Sequence, residues 1–489
     1  MQNLSDRLYR AEQVRELDRI VIEEFGIAGH ELMARAGRGA FEELRRRWPA
    51  ATRIAVGCGA GNNGGDGYVV ARLARAAGLY VDVFATTAPA GLRNEAAVAA
   101  REALDAGVPV HALPEALAGF DLVVDAVLGS GARGAPTGAV SQAVALINGA
   151  GAPVLALDLP SGLDPDTGHT PGEAVHAAAT ISFIGLKAGL FTGSGPDHAG
   201  TVLFDDLAVP AGVYDRLSPM AYRRHDAAGL GPRARSAHKG DFGHVLMIGG
   251  ELGMGGAVRM AGEAALRVGA GLVSIATRPE HATAITAARP ELMTHGISGP
   301  EALAPLLARA SVVAIGCGLG QGAWGRALLG AVLDSAQPKV VDADALSLVA
   351  DQPVQRNDWV LTPHPGEAGR LLGCPATVVQ QDRLSAAAAL LARYGGTVVL
   401  KGAGTLVLDS DGPPEICTRG NPGMAGGGMG DLLTGVIAGL AAQGLALSEA
   451  ARRGVCLHAC AADDAAAAGG ERGLLATDLL PHLRRRVNQ

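Results

Sequence analysis

The sequence predicts an α/β protein of two domains, each a parallel-type sheet whose loops gather at one edge. Three observations carry this. The chain has 489 residues, too many for one ordinary core. Short β-branched runs recur along it, each leading into a glycine-rich turn and then a helical stretch. Hydrophobic residues make up 48%, with 70 glycines and only 3% aromatics, which describes wound strands and helices with many short turns, not disorder.

Charge and cysteine usage exclude several classes. Net charge is −7 without a basic tract, which argues against a nucleic-acid partner. Arg45 to Arg47 and Arg484 to Arg486 read as solvated helix C-termini. The six cysteines form no CxxC pair, and His458, between Cys456 and Cys460, falls on another helical face; they read as small buried residues of a reducing compartment. Residues 1–7 hold no apolar leader core, and no run reaches transmembrane length without charge. A cytoplasmic protein without membrane contact is expected.

Residues 10–47 read as helix, with Leu17, Ile20, Val21 and Ile22 at nearly helical spacing and a second helix after Gly29 through Leu32, Met33, Ala36 and Ala40. Residues 53–56 are a strand. The stretch Gly57 to Gly67 then forms a loop before a helix from Tyr68. Strand, glycine loop, helix is the context a phosphate-binding loop requires, and Asn62, Asn63 and Asp66 add polar side chains to the backbone cradle. Further strands end at Phe84, Asp125 and Asp158, followed by the loops from Gly129 and from Leu159. Residues 180–187 read as one more strand with Lys187 at its end. Ligands in such sheets bind beyond the strands' carboxyl ends, where Asn63, Asp125 and Ser161 would lie; they are hard oxygen donors, suited to K+ or Mg2+ and unsuited to zinc.

Periodicity fails between Leu217 and Ala237, which places a domain boundary near residue 220, giving domains 1–220 and 221–489. Lys239 to Gly243 read as a turn or a flap. Residues 244–249 and 311–316 then read as strands leading to Gly253–Ala257 and Cys317–Gly320, residues 340–344 end a third, and residues 359–362 lead to the loop with His364. His364 stands between two prolines, which stiffen the loop and suit a side chain aimed at a ligand.

The second half is organised around two stretches. Lys401 ends the strand at residues 397–400. Gly426, Gly427, Gly428 and Gly430 surround the start of a helix, leaving backbone N–H groups outward as an anion site. Asp431 in its first turn cannot bind phosphate, but can take a proton from a hydroxyl beside it. The plain alternative is a carboxylate that only stabilises the helix end.

At this point the first half resembles the NAD(P)H-hydrate epimerase domain, through residues 61–67, Asp125 with Gly129, and residues 158–164. The second half resembles the ADP-dependent NAD(P)H-hydrate dehydratases of the ribokinase-like fold, through residues 364–367, 401–405, 421–425 and 428–431. The resemblance covers almost the whole chain. It implies a Rossmann-like domain followed by a ribokinase-like one. In the epimerase half it implies hydrate contacts at Asn62, Asn63, Gly64, Gly65, Asp66, Gly129, Ser130, Gly131, Ala132, Arg133, Gly134, Ala135 and Asp158, and K+ at Asn63, Asp125 and Ser161. In the dehydratase half it implies hydrate contacts at Ala257, Gly318, His364 and Asp431. Lys401, Gly402, Ala403, Gly404, Thr405 and Gly430 would hold ADP, with Mg2+ screening its phosphates. Asp158 and Lys187 are the acid–base candidates for epimerisation. One departure stands out: Ala34 occupies a position after Leu32 and Met33 where the family often has Glu.

The implied function is repair of hydrated NADH and NADPH. One half interconverts R and S hydrates; the other dehydrates the S form with ADP, giving AMP and phosphate. The partners are the hydrates and ADP, and a homo-oligomer is expected. One rival is a vitamin or sugar kinase fused to a nucleotide-binding domain, told apart by a stable phosphorylated product. The other is a nucleotide-sensing module, which substoichiometric turnover would exclude.

Overall fold

The computed structural model describes residues 4–226 and 229–489, in two compact units, Met1–Tyr222 and Arg223–Gln489. Both are α/β with parallel sheets, as expected. Among the described residues no helix is long and apolar enough to cross a membrane.

In the first unit the sheet strands are β1 (Arg53–Cys58), β2 (Tyr80–Ala85), β3 (Val110–His111), β4 (Leu122–Ala126), β5 (Val154–Leu157), β6 (Ala179–Phe183) and β7 (Thr201–Asp205). Their order is β3-β2-β1-β4-β5-β6-β7, every pairing parallel. The order reverses between β1 and β4, so the segments leaving these two strands part to opposite sides and open a crevice. Strands β4, β5 and β6 are buried along their whole length, which is why apolar residues dominate them.

Two expectations change. The helix after β1 begins at Asn62, not Tyr68, so Asn62 to Gly67 form its first turns. Its glycines permit the close approach: a Cβ at Gly64 would lie 2.1 Å from the Gly59 carbonyl oxygen, and one at Gly67 2.6 Å from the Ala126 side chain. The run at 180–187 is also not one strand. It stops at Phe183, turns at Ile184 with φ +59°, and Leu186–Lys187 instead pair in parallel with Leu8 and Tyr9. Helix Ala11–Glu23 follows Tyr9 and buries Val14, Leu17, Ile20 and Val21, while Ile22 points outward.

In the second unit the strands are β8 (His244–Ile248), β9 (Leu272–Thr277), β10 (Met293–Gly296), β11 (Val312–Ile315), β12 (Lys339–Val341), β13 (Trp359–Leu361), β14 (Thr397–Leu400), β15 (Thr405–Leu408) and β16 (Glu415–Cys417). The order is β10-β9-β8-β11-β12-β13-β14-β15-β16, parallel as far as β14 and antiparallel beyond. It reverses between β8 and β11, as the first sheet does between β1 and β4. Helix Met429–Ala442 is buried along nearly its whole length. It lies against helix Gly255–Arg267 so closely that a Cβ at Gly435 would stand 2.0 Å from the Ala261 carbonyl oxygen. The Lys239–Phe242 stretch is a single 3-10 turn capped by His238.

Candidate functional site

In the first unit the crevice at the β1/β4 switch gathers the oxygen donors. Asp125, at the end of β4, is fully buried. Its Oδ1 accepts from Ser161 Oγ at 2.7 Å, and its Oδ2 from the Ser161 amide at 2.8 Å. Ser161 Oγ in turn accepts from the Leu128 amide at 2.8 Å, and Asn63 Nδ2 donates to the Leu128 carbonyl at 2.8 Å. Asn63 Oδ1 is buried and has no hydrogen-bond partner among the described residues. Burial pushes the Asp125 carboxyl up to about 6, against the pull of its Ser161 and Val127 hydrogen bonds.

Next to this group lies Asp158, held just past β5 at φ +64°, an uncommon conformation for a residue with a side chain. Its Oδ1 pairs with the ammonium of Lys187, a side chain with no exposed surface, and its Oδ2 accepts from the Ser130 amide at 3.2 Å. Lys187 Nζ also reaches Ser182 Oγ at 3.2 Å and the Phe183 carbonyl at 3.3 Å. The loop at 129–135 lies over this pair: a Cβ on Gly129 would be 3.0 Å from Asn63 Cβ and 3.6 Å from Asp158 Oδ2. Arg133 braces the loop through the Ser130 carbonyl at 3.1 Å, and Ala135 rests against Gly172. Asn62 is exposed at the helix start, while Gly65 is covered by Met33. Asp66, partly buried, has its carboxyl driven well above the usual range by burial, then by Asp158 and Asp18. Asp18 was not foreseen from the sequence. Its one available signal is helical phase, four residues after the buried Val14.

In the second unit a cavity of about 450 Å3 is lined by Ala257, Gly318, His364 and Asp431, together with Met254, Asp344, Ser347, Glu367 and Arg370. The four residues expected to face the hydrate thus share one cavity. Asp431 stands in the first turn of helix Met429–Ala442, after Gly428 at φ +89°, and the helix start has no side-chain cap. Burial raises its carboxyl pKa, and Asp342 adds to that; the Cys317 thiol, hydrogen-bonded to it, and Lys401 pull the other way. Ligand atoms of Cys317, Asp342 and Asp431 all lie within 4.8 Å of one another.

Lys401 is committed within the protein. Its Nζ donates to Asp342 Oδ1 at 2.7 Å and lies 3.7 Å from Glu367, while Thr434 Oγ1 donates to the other Asp342 oxygen at 2.9 Å. Burial would lower the lysine's pKa, but Asp342 and Glu367 outweigh it and raise it, so the ammonium stays charged. A Cβ at Gly430 would sit 3.3 Å from that ammonium, which joins the Lys401 turn to the glycine helix start. The turn itself is tied by Thr405 Oγ1 donating to the Gly402 carbonyl at 2.9 Å, and exposes Gly402 and Ala403. Beneath it the buried Arg383 guanidinium donates to the Leu400 and Lys401 carbonyls at 3.1 and 3.2 Å.

His364 is the N-cap of helix Pro365–Leu372. Its Nδ1 accepts from the Gly366 and Glu367 amides at 3.0 and 3.4 Å, which assigns the proton to Nε2, 3.4 Å from Glu367. It is a capping residue more than half exposed to the cavity, not a packed loop histidine. His458, placed by the sequence only on a helical face away from the cysteines, is buried, its Nε2 has no hydrogen-bond partner among the described residues, and it contacts the Met429 backbone at the helix start.

Two family models match the chain, one described as YjeF-related protein N-terminus over residues 29–189, the other as NAD(P)H-hydrate dehydratase over residues 245–485. The bifunctional NAD(P)H-hydrate repair enzyme of Coxiella burnetii is 51% identical over 486 residues, covering 98% of this chain and 99% of that protein. The Escherichia coli enzyme of the same description is 46% identical over 489 residues, covering 98% and 94%. Among solved structures, an ADP/ATP-dependent NAD(P)H-hydrate dehydratase of Bacillus subtilis, co-crystallised with ATP and Mg2+, is 30% identical and covers 53% of this chain and 93% of that one, with a TM-score of 0.49.

Proposed function

Because the chain belongs to the bifunctional NAD(P)H-hydrate repair enzymes, we propose how its residues divide the work. The protein epimerises the hydrates in its first unit and dehydrates them with ADP in its second. The observation that carries the assignment of residues is the cavity in which Asp431 meets Ala257, Gly318 and His364.

The hydrate carries a hydroxyl on C6 of the reduced ring, beside the ring nitrogen, and hydroxide leaves poorly. Asp431 takes the hydroxyl proton as that oxygen attacks the terminal phosphorus of ADP and AMP departs. The amides at the start of helix Met429–Ala442 stabilise charge on the phosphoryl group in transfer. Phosphate then leaves with the C6–O electrons, pushed by the nitrogen lone pair, and loss of a C5 proton restores the 1,4-dihydropyridine. A base needs enough proton affinity for its task, and burial supplies it to Asp431. The turn at Lys401 to Thr405 with Gly430 takes the nucleotide through backbone groups, while Lys401 serves as the fixed cation beneath them.

In the first unit Asn63, Asp125 and Ser161 fit K+: they are oxygen donors, and the orphaned Asn63 Oδ1 is a buried acceptor needing a positive partner. When bound, the ion would anchor the loop before Gly129 and offset the Asp125 charge. The second unit does not fit a protein-held Mg2+. The one cluster of candidate ligands among the described residues contains a thiol, and its Asp342 is already matched by Lys401 and Thr434. Mg2+ would therefore come with the nucleotide phosphates.

The test is recovery of the dihydronicotinamide absorbance from purified S-hydrate, with and without ADP, with inorganic phosphate assayed alongside. Recovery that needs ADP and releases phosphate supports the reading; a stable phosphorylated hydrate without recovery overturns it in favour of a kinase.

A further inference from the structure

The epimerase site contains more acid than its foreseen pair. Asp158 and Lys187 form an ion pair, and two further carboxylates, Asp18 and Asp66, lie near enough for the charges of that pair to act on them. Three acids share one ammonium.

Asp18 reaches the cluster through the fold. Tyr9 pairs with Lys187 in parallel register, which sets helix Ala11–Glu23 beside the end of that short strand. Val14 and Leu17 cover Gly185, 3.1 and 3.5 Å from where its Cβ would be. Asp18 is four residues after Val14 and therefore one turn further along the same helix face. The helix is also tied to the loop over the site. Arg15 Nη1 reaches the Ser130 carbonyl at 3.5 Å, and the Ala11 amide donates to Asp166, which in turn pairs with Arg133. The helix that carries Asp18 is thus tied to the Lys187 strand through Tyr9 and to the Ser130 loop through Arg15, and Asp18 retains partial exposure.

We propose that Asp18 is the proton donor of epimerisation, facing the C6 hydroxyl of the hydrate with the Asp158–Lys187 pair beside it. This rests on the reading that Asp158 and Lys187 line the epimerase site. Inverting C6 requires its C–O bond to break. The hydroxyl takes a proton from Asp18 and leaves as water with the bond's electron pair, and the N1 lone pair makes a C6=N1 bond. Water adds to the other face, the C6=N1 electrons return to nitrogen, and the added water returns a proton to a carboxylate. One proton enters and one leaves, with no other reagent.

Of the carboxylates, Asp18 suits the donor. Asp158 is spoken for by Lys187 and by the Ser130 amide. Asp66 sits in the first turns of the helix that starts at Asn62, and its charge also acts on the buried Cys58. The groups acting on Asp18 are Lys187, Asp158, Asp66 and Arg15; burial, the largest influence, carries it up to about 7, so a large share of the protein keeps this proton near neutral pH.

The experiment uses the full chain and follows R-to-S conversion without nucleotide for Asp18→Asn, Asp18→Glu and Asp158→Asn. Thermal unfolding of the full chain reports on folding, and dehydration of S-hydrate with ADP reports on the second unit. Asp18→Asn should lower kcat by roughly 10²–10⁴-fold with KM little changed, and should abolish the fall in kcat above about pH 7. Asp18→Glu should restore part of the rate together with that fall. Near-normal kcat in Asp18→Asn, a loss confined to KM, or an unchanged pH profile overturns the proposal. If Asp158→Asn is inactive while Asp18→Asn is not, only the role of Asp18 fails. If both retain activity, the placement of the epimerase site fails with it.

Discussion

Replacing Asp431 by asparagine separates a base from a helix-end charge. Among the described residues no hydrogen bond ties the Asp431 carboxylate to the amides of its own helix start; its hydrogen-bond partner is the Cys317 thiol, and the charges acting on it are Asp342 and Lys401. Losing one such hydrogen bond costs about 0.5–1.5 kcal/mol, and removing a negative charge beside Asp342 offsets part of that. Stability should therefore change little. Loss of a general base lowers turnover by about 10²–10⁴-fold, or roughly 2.7–5.4 kcal/mol of barrier at 1.36 kcal/mol per decade. The effect on the barrier exceeds the effect on folding, so the two are separable. The assay is S-hydrate dehydration by dihydronicotinamide absorbance, with ADP affinity and thermal unfolding measured on both proteins. ADP affinity should hold or rise, since a negative charge near phosphate is gone. Turnover within a few-fold of the parent would refute the base, and loss of ADP binding at normal stability would show that Asp431 belongs to the nucleotide contact instead.

Asp125→Ala leaves the Ser161 amide and hydroxyl and the Val127 amide without their acceptor. Epimerisation should fall and lose its response to K+ while S-hydrate dehydration stays intact; equal loss in both assays would show that Asp125 is not local to the first site. Asp342→Asn removes the partner of Lys401 and a like charge from Asp431, so the acid limb of dehydration should move to lower pH; an unmoved limb would mean that Lys401 does not act on Asp431. His458 is pushed down to about 4, chiefly by burial and then by Lys401. Its folded pKa lies below its unfolded value of about 6.5, so it costs nothing above that pH. Stability should fall by up to about 3 kcal/mol as pH drops from 6.5 towards 4. A His458→Gln variant should show a flatter pH dependence in denaturant titrations, and an identical slope in both proteins would contradict the assignment.

The sequence disclosed most of what backbone periodicity and glycine placement encode. The strands at 53–58, 122–126, 312–315 and 397–400 are buried on both faces over nearly all their length and so appear as largely apolar runs. That the loops with Ala257, Gly318 and His364 gather was legible because each follows a strand, Asp431 because a glycine run opens its helix, and that the four face one ligand followed from the family resemblance. What was not legible depends on contacts between distant segments. Helix assignment at Asn62 failed because adjacent glycines lower helix propensity, and the tertiary reason for them, the Gly59 carbonyl and Ala126 side chain against the helix, lies elsewhere in the chain. Lys187 was read as a strand end because the partner that captures its strand, Leu8–Tyr9, is almost 180 residues away. Asp18 and His458 look like ordinary helix residues until the fold shows what faces them.

The two sites use one electrostatic arrangement on unrelated stretches of chain. In each, a lysine with little or no exposure is paired closely with a carboxylate, Lys187 with Asp158 and Lys401 with Asp342, and a further carboxyl with raised proton affinity lies near the pair, Asp18 in one case and Asp431 in the other. The reason is quantitative. An unpaired ammonium about 5 Å from a carboxylate, at an effective dielectric of about 20, would favour the ionised form by about 3 kcal/mol, roughly two pKa units. Such an acid could neither hold a proton to give nor accept one strongly. Giving the lysine its own carboxylate reduces its outward field to that of a dipole, and burial then sets the neighbour's affinity. On the proposed roles, the lysines would supply fixed positive charge to the sites, and their partners would keep that charge from disabling Asp18 and Asp431 as proton-transfer groups. Loss of the paired acid and loss of the reactive acid should therefore leave different signatures, a displaced pH profile in the first case and a lowered plateau in the second.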